Sequence, residues 1–130
     1  MIYDIRHITT YSYSGEVTYA HCALRLLPRS DPGQTVISAE LIIDPKPVRT
    51  EPRTCFFGNS LITATLATAH RKLRVEARSR VAVERDAPPD AGATMPWEAA
   101  REAAFASQTL APASPAHMLH ASRLAPLLGP

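Results

Sequence analysis

The sequence predicts an all-β protein, an antiparallel β-sandwich of about six strands with a short helical C-terminal appendage. Residues 73–84 alternate between apolar and polar side chains almost without fault, a pattern typical of a half-buried strand. Turn signals separate further β-rich stretches at short spacing, and no helical pattern lies between them. Strands in this arrangement favour an antiparallel sandwich or a partly open barrel.

The first two strands are predicted near the N-terminus. The stretch IYDIRHITTYSYS carries aromatic and β-branched residues on one face, and a turn signal at Ser14 and Gly15 precedes the second strand, EVTYAHCALRLLPR. Because the connection is short, we expect a hairpin in which His7 and His21 stand across from each other. Two imidazoles without a third ligand make a weak metal site, so no metal is predicted there.

Proline and glycine delimit the next three strands. A turn at residues 31–33 precedes TVISAELIID, which ends where Pro45 lacks the N–H that a ladder needs. TCFF is predicted as the fourth strand, and Gly58 and Asn59 turn the chain into the fifth, SLITATLAT.

The sixth strand, within residues 73–84, has one apolar and one charged face. Leu73, Val75, Val81 and Val83 are predicted to point into the core. The opposite face carries mostly charged side chains: Arg74, Glu76, Arg78, Arg80 and Glu84. We expect that face to lie in water, where it prevents edge-to-edge association and where Arg78→Glu changes stability by about 0.5 kcal/mol or less.

Residues 1–86 are predicted to form the β-sandwich domain and residues 87–130 a linker with a helical tail. APPDAGATMP has the composition of a linker, and WEAAREAAFA follows with residues that favour helix. Pro96 suits the first turn of that helix. Trp97 is expected to be an anchor that packs on the sandwich.

The composition argues against several classes of function. A formal charge of +2 gives no sign of the clustered basic face that nucleic-acid binding requires. Cys22 and Cys55 form no CxxC pair, so a four-ligand zinc site lacks its ligands. The start, MIYDIRH, has no apolar signal segment. We therefore expect a cytoplasmic protein with reduced thiols that needs no cofactor and contacts neither nucleic acid nor membrane.

Seven stretches, taken in their order and spacing, resemble the N-terminal domain of bacterial transglutaminase-like proteins. They are IRHITTYSYSGEV, HCALRLLPR, Gln34, LIIDPKP, FFGN, LRVEARSRVAV and PWEAARE. The resemblance implies a β-rich domain that precedes a papain-like core with Cys-His-Asp machinery. It also implies that residues 122–126, with the pattern S.L.P, lead toward that core, which would be the partner of this domain in the same polypeptide.

The resemblance carries over motif residues but no catalytic residue, because the family's nucleophile lies beyond residue 130. At position 55 the family pattern usually has an acid, so Cys55 departs from it. Cys55 is then a small apolar residue, or a candidate reactive thiol if Arg53 lowers its pKa. The residues that match family motifs, or that we single out on structural grounds, are His7, Tyr11, His21, Arg25, Pro28, Arg29, Gly58, Asn59 and Trp97.

Three functions follow from these patterns. The first is a non-catalytic accessory domain that supports the core or shapes access to it. The second is a free-standing module that binds a ligand or protein on the sandwich. The third is a thiol-dependent enzyme in which Cys55 works with His70 or His21. A domain separated from its core would expose apolar surface, so we also expect self-association through the tail. The tail residues concerned are Trp97, Phe105 and Met118.

Overall fold

The computed structural model describes residues 1–122, and the chain divides into two compact units between residues 86 and 87. The end of the S.L.P pattern, from residue 123 on, lies outside the described residues. The first unit contains six strands: β1 (Ile2–Val17), β2 (Ala20–Leu24), β3 (Gln34–Asp44), β4 (Arg49–Thr54), β5 (Ser60–Leu66) and β6 (His70–Val83).

The six strands form two antiparallel sheets of three strands each. Sheet A has the order β1-β6-β3 and sheet B the order β2-β5-β4. This confirms the predicted all-β sandwich, and the two open sheets exclude a closed barrel. The sixth strand, with the cleanest alternation in the sequence, is the central strand of sheet A.

The predicted hairpin of the first two strands is wrong, because β1 and β2 belong to different sheets. β1 does not turn at Ser14 and Gly15 but continues to Val17, with a register shift against β6 after Ser12. A glycine inside a strand often marks such an irregularity. β6 pairs with Ile2–Ser12 of β1 and again with Val17, so the chain crosses to sheet B only after Val17.

The fourth strand was predicted in the wrong place. The structure has β4 at Arg49–Thr54, in the sequence RTEPRT, and the chain turns at residues 55–59 where TCFF was expected to be extended. Pro52 is tolerated because β4 is an edge strand, where a missing N–H need not interrupt the ladder.

The core lies where the two sheets face each other. Leu66 of sheet B packs against Leu73 and Val75 of sheet A, and all three are at most 2% exposed. Burying a Leu or Val side chain stabilises a fold by about 1.5–3 kcal/mol. Partly buried residues from both sheets, and Leu26 just after β2, surround this centre: Tyr13, Ala20, Cys22, Leu24, Leu26, Leu41 and Ile43.

Sheet A is much larger than sheet B. Its strands have 16, 11 and 14 residues, whereas those of sheet B have 5, 7 and 6. Sheet B is too short to cover the whole of sheet A. Large apolar side chains on the inner face of β1 therefore stay exposed: Tyr3, Ile5 and Tyr11. Ile2 and Ile8 are exposed on the outer face of the same strand.

The second unit begins at Ala87 and contains the helix α1 (Trp97–Phe105). Pro96 is the N-cap residue, immediately before the first turn in which the sequence placed it. Short 3₁₀ turns occur at Ala91–Ala93 and Pro115–Met118. No helix among residues 1–122 is long and apolar enough to cross a membrane.

Candidate functional site

Residues 55–59 form the tight loop that joins β4 to β5. The Gly58 N–H donates to the Cys55 carbonyl at 2.9 Å, and the Cys55 N–H donates to the Asn59 carbonyl at 3.0 Å. Gly58 has a φ of +79°, the left-handed conformation that glycine adopts without steric cost. The predicted Gly-Asn turn is therefore present, and it exposes the aromatic rings of Phe56 and Phe57.

Arg29 holds this loop from outside the hairpin. Its guanidinium donates to the Phe57 carbonyl at 2.5 Å, and its Nε donates to Asp31 at 2.8 Å. The side-chain amide of Gln34 in turn donates to the Arg29 carbonyl at 2.8 Å. The structure thus brings together motif residues from three separate stretches of the sequence.

Cys55 lies half-buried at the start of the loop. A backbone hydrogen bond from Asn59 lowers the pKa of its thiol most, and Phe57, the Asn59 side chain and the charge of Arg25 act in the same direction. The cation that acts on the thiol is thus Arg25, where Arg53 was expected. Arg53 pairs with Glu51 instead, at 3.2 Å. The loop therefore makes the Cys55 thiol more acidic than an ordinary cysteine thiol.

The two histidines expected to act as a base are not placed beside Cys55. His21 pairs with Thr65 in the register of β2 and β5, and its Nδ1 lies 3.1 Å from the Thr65 hydroxyl. Thr65 is five residues along β5 from Ser60, at the loop end of the strand, a distance of about 17 Å. His70 begins β6, and its Nδ1 contacts the Thr68 carbonyl at 2.7 Å.

His7 and His21 do not stand across from each other, because they lie on different sheets. His7 is exposed on β1, with its Nε2 3.4 Å from the Thr9 hydroxyl. Tyr11 lies on the same strand opposite Leu73 and is 49% exposed. Within residues 1–122, no three metal-ligating side chains come together.

The two remaining residues singled out from the sequence are Pro28 and Trp97. Pro28 is half-buried in the segment between β2 and β3. Trp97 is 65% exposed, and the guanidinium of Arg101 lies 5.4 Å from its ring centre. This distance is suited to a cation–π contact on the surface of α1.

Glu76 is the most unusual side chain of sheet A, and its burial was not predicted. It stands on the face expected to lie in water, yet its side chain is only 1% exposed. Its direct cross-strand neighbours on that face are Ile8 and Ile42. Those two isoleucines, on the same strand faces as the charged residues, are the signal in the sequence that this face is partly apolar.

Three arginines neutralise the Glu76 carboxylate. Arg6 and Arg78 each donate through Nε to Oε1 at 2.6 Å, and Arg74 donates to Oε2. These bonds, with Arg6 as the largest contribution, hold the pKa of Glu76 at about 2 against an ordinary value of 4.5. Glu76 is therefore ionised at neutral pH, and its carboxylate orients the side chains of Arg6 on β1 and of Arg74 and Arg78 on β6.

A groove of about 560 Å³ runs beside this network on sheet A, lined among others by Arg6, Ser38, Glu40, Arg78 and Arg80. Its charges are already paired within the sheet, Arg78 with Glu40 at 3.4 Å and Arg80 with Asp4 at 3.6 Å. The charged groups of the groove are thus paired and nearly balanced.

Comparisons with known proteins match the first unit of the chain to one family. The family described as "Bacterial transglutaminase-like N-terminal region" matches residues 3–82, a range that reaches from β1 into β6. No solved structure matches the chain.

Three similar proteins come from mycobacteria: the uncharacterized proteins Mb2599c of Mycobacterium bovis and MT2645 and Rv2569c of two strains of Mycobacterium tuberculosis. Each is 34% identical over 107 residues, which is 78% of this chain and 33% of the relative. The chain therefore spans about a third of the length of these relatives. With its strands matched along nearly their whole extent, the chain belongs to the family of bacterial transglutaminase-like N-terminal regions.

Proposed function

We propose that this chain is a non-catalytic accessory domain of a transglutaminase-like cysteine enzyme, and that it supports the catalytic core or shapes access to it. The observation that carries the proposal is the family match. The matched family is defined as an N-terminal region, and the match covers the strands of the sandwich. The relatives are about three times as long as the matched region, which leaves room for a core in the same polypeptide.

The unequal sheets support the same proposal. Sheet A extends past sheet B and exposes apolar side chains on β1, including Tyr3 at 46% and Tyr11 at 49%. Contiguous exposed apolar surface is typical of a face that packs on another domain or protein. The geometry around Cys55 also supports a non-catalytic role, because His21 pairs with Thr65, about 17 Å along β5 from the loop, and His70 follows the other end of β5.

The proposal includes two expectations about the surroundings of the domain. Two free thiols, Cys22 and Cys55, support a reducing compartment such as the cytoplasm. Self-association through the tail is supported by the exposure of its apolar side chains, which are Trp97 at 65%, Phe105 at 65% and Met118 at 75%.

A free-standing binding module is the second candidate, and the groove on sheet A favours it. A volume of about 560 Å³ is of the size that small-molecule sites have. The ion pairs that already occupy its charged groups weigh against strong binding of a charged ligand, because such a ligand would have to displace them.

An acyl-transfer assay tests the accessory role. The purified chain is incubated with a glutamine substrate and an amine donor, beside Cys55→Ala and matched Cys22→Ala variants. We expect no turnover from any of the three, since acyl transfer requires a nucleophile, a base and an oxyanion site together. Turnover that is lost in Cys55→Ala and kept in Cys22→Ala would instead establish a thiol enzyme.

A deletion in a longer relative tests the support of the core. The M. tuberculosis protein Rv2569c is produced whole and without the third that aligns with this chain. We expect the shortened protein to unfold at a lower temperature or to aggregate, because it exposes the surface that the domain covered. A shortened protein as stable as the whole would favour the free-standing module.

A further inference from the structure

β1 is an edge strand of sheet A, and the direction of its free backbone groups follows from one pair of hydrogen bonds. Met1 and Val83 exchange both bonds, N–H to carbonyl in each direction, at 2.7 Å. Hydrogen-bonded and non-hydrogen-bonded pairs alternate along an antiparallel ladder. The odd residues of β1 therefore bond to β6, and the even residues direct their N–H and carbonyl groups out of the sheet edge.

The even residues at the start of β1 become their own chemical complement when the strand is reversed, because the acidic and basic positions exchange places. They are Ile2, Asp4, Arg6 and Ile8, in the order apolar, acidic, basic, apolar. All four are exposed: Ile2 by 56%, Ile8 by 41%, and the side chains of Asp4 and Arg6 by 74% and 59%. Such a strand is complementary to an antiparallel copy of itself.

We propose that this edge pairs two copies of the chain through antiparallel β1 strands, with Ile5 of each copy at the two-fold axis. In this register Asp4 lies opposite Arg6 of the second copy, and Ile2 lies opposite Ile8. These are the residues whose backbone groups point outward, so each pair also exchanges two hydrogen bonds. The interface is isologous, as a two-fold axis requires.

Neighbouring registers are worse for electrostatic reasons. Moving the partner by two residues in one direction places Asp4 opposite Asp4, and moving it in the other places Arg6 opposite Arg6. Like charges directly opposite each other destabilise a strand pair, whereas opposite charges and apolar pairs stabilise it. A shift by one residue would pair outward groups with inward ones and lose the hydrogen bonds. The charges thus select one register and disfavour other strands at this edge.

The Asp4–Arg6 contact is compatible with the network inside sheet A. Arg6 uses Nε for Glu76, at 2.6 Å, and the fork of an arginine has further donors. Asp4 contacts Arg80 only at 3.6 Å. An interface of a few strand residues is small, so we expect weak association that depends on protein concentration.

Sedimentation equilibrium of the full chain tests the pairing, over about 10 μM to about 1 mM, a range that covers weak complexes. We expect dimers at the upper end. Asp4→Arg should raise the dissociation constant about tenfold or more, because it places like charges opposite each other twice in the interface. Glu16→Arg makes the same charge change on β1 outside the proposed pairing and should leave the dissociation constant unchanged.

Crosslinking tests the register. In a background with Cys22→Ala and Cys55→Ala, Ile5→Cys places two thiols across a non-hydrogen-bonded pair, at about 4.5 Å between Cα atoms, within the range for a disulfide. Tyr3→Cys is the matched control, because Tyr3 would face His7 and its two thiols would lie about 13 Å apart. We expect mild oxidation to yield covalent dimer from Ile5→Cys and little from Tyr3→Cys.

Several results would overturn the proposal. A chain that is monomeric at the highest concentration has no such interface. Equal crosslinking of both cysteine variants would mean random collision or another register. A dimer that is insensitive to Asp4→Arg and is lost in Phe105→Glu would place the contact on the tail.

Discussion

The Nε of Arg6 lies 2.6 Å from Oε1 of Glu76, so the first strand of the chain is joined to the last by an ion pair between residues 70 apart in sequence. The Glu76 side chain is only 1% exposed, although the sequence predicted that this face of the sheet is exposed to solvent. Removing one partner of a buried charge pair is destabilising, because the remaining charge loses its compensation. The network around Glu76 therefore stabilises the fold, and it makes the stability of the fold depend on pH.

Acid should weaken the fold through Glu76. The hydrogen bonds from Arg6, Arg78 and Arg74 lower its pKa from 4.5 to about 2 in the folded state. A lowered folded-state pKa contributes stability above the unfolded value and loses it as the pH falls through the folded value. We expect the Tm advantage of the native chain over Glu76→Gln to be full above about pH 5 and to vanish near pH 2. Thermal unfolding of both proteins across this range measures it, and a Tm difference independent of pH would contradict it.

Charge reversal at Arg78 should be destabilising, contrary to the expectation from the sequence. Arg78→Glu would place a carboxylate beside Glu76 and Glu40, both of which now contact the guanidinium. Arg80→Gln, on the same strand face but paired only with Asp4 at 3.6 Å, should change stability by about 0.5 kcal/mol or less. Urea unfolding compares the two, and equal free energies of unfolding would show that the network contributes nothing.

Val81→Asp should prevent stable folding. Val81 is 2% exposed, and a carboxylate there would be buried without a partner, at a cost of about 3 kcal/mol or more. Val48→Asp makes the same change at a valine that is 65% exposed and should be nearly neutral. Circular dichroism and the Tm of both variants provide the check. A folded Val81→Asp protein with an unchanged Tm would mean that this end of the core is open.

Gly58→Ala should destabilise the protein by about 1 kcal/mol or more, since a side chain at positive φ is strained. The added Cβ would also lie 3.3 Å from the guanidinium of Arg29, which holds the loop. Gly15→Ala is the matched control, because no atom lies within 4 Å of its added Cβ and its φ is not positive. Equal midpoints of chemical unfolding for the two variants would argue against a strained loop.

Cys55 should react with iodoacetamide faster than Cys22 near neutral pH. Its pKa is lowered by the backbone of Asn59 and also by Arg25, whereas Cys22 packs against the core. Arg25→Gln should slow the reaction of Cys55, and Arg71→Gln, at an exposed arginine that does not lower this pKa, should not. Mass spectrometry of alkylated peptides over time gives both rates. If Arg25→Gln leaves the alkylation rate of Cys55 unchanged, the charge of Arg25 does not contribute to the reactivity of this thiol.

The sequence by itself determined the class of fold and most strand positions. The alternation at residues 73–84 is a local property of a strand with one buried face, so it identified β6 and the inward side of Leu73 and Val75. Proline and glycine set the end of β3 and the turn at Gly58, because these two residues restrict or extend the backbone locally.

Only the tertiary structure decided which strands pair and which charges are buried. Ser14 and Gly15 are compatible with a turn, but β6 offers β1 a longer partner than β2 does, so the hairpin does not form. Likewise Glu76 looks like a surface residue in its own strand. It is buried because Ile8 and Ile42, from distant parts of the chain, flank it while arginines from two strands supply its hydrogen bonds. Pairing and burial depend on which distant segments meet, and a periodicity of two residues carries no information about that choice.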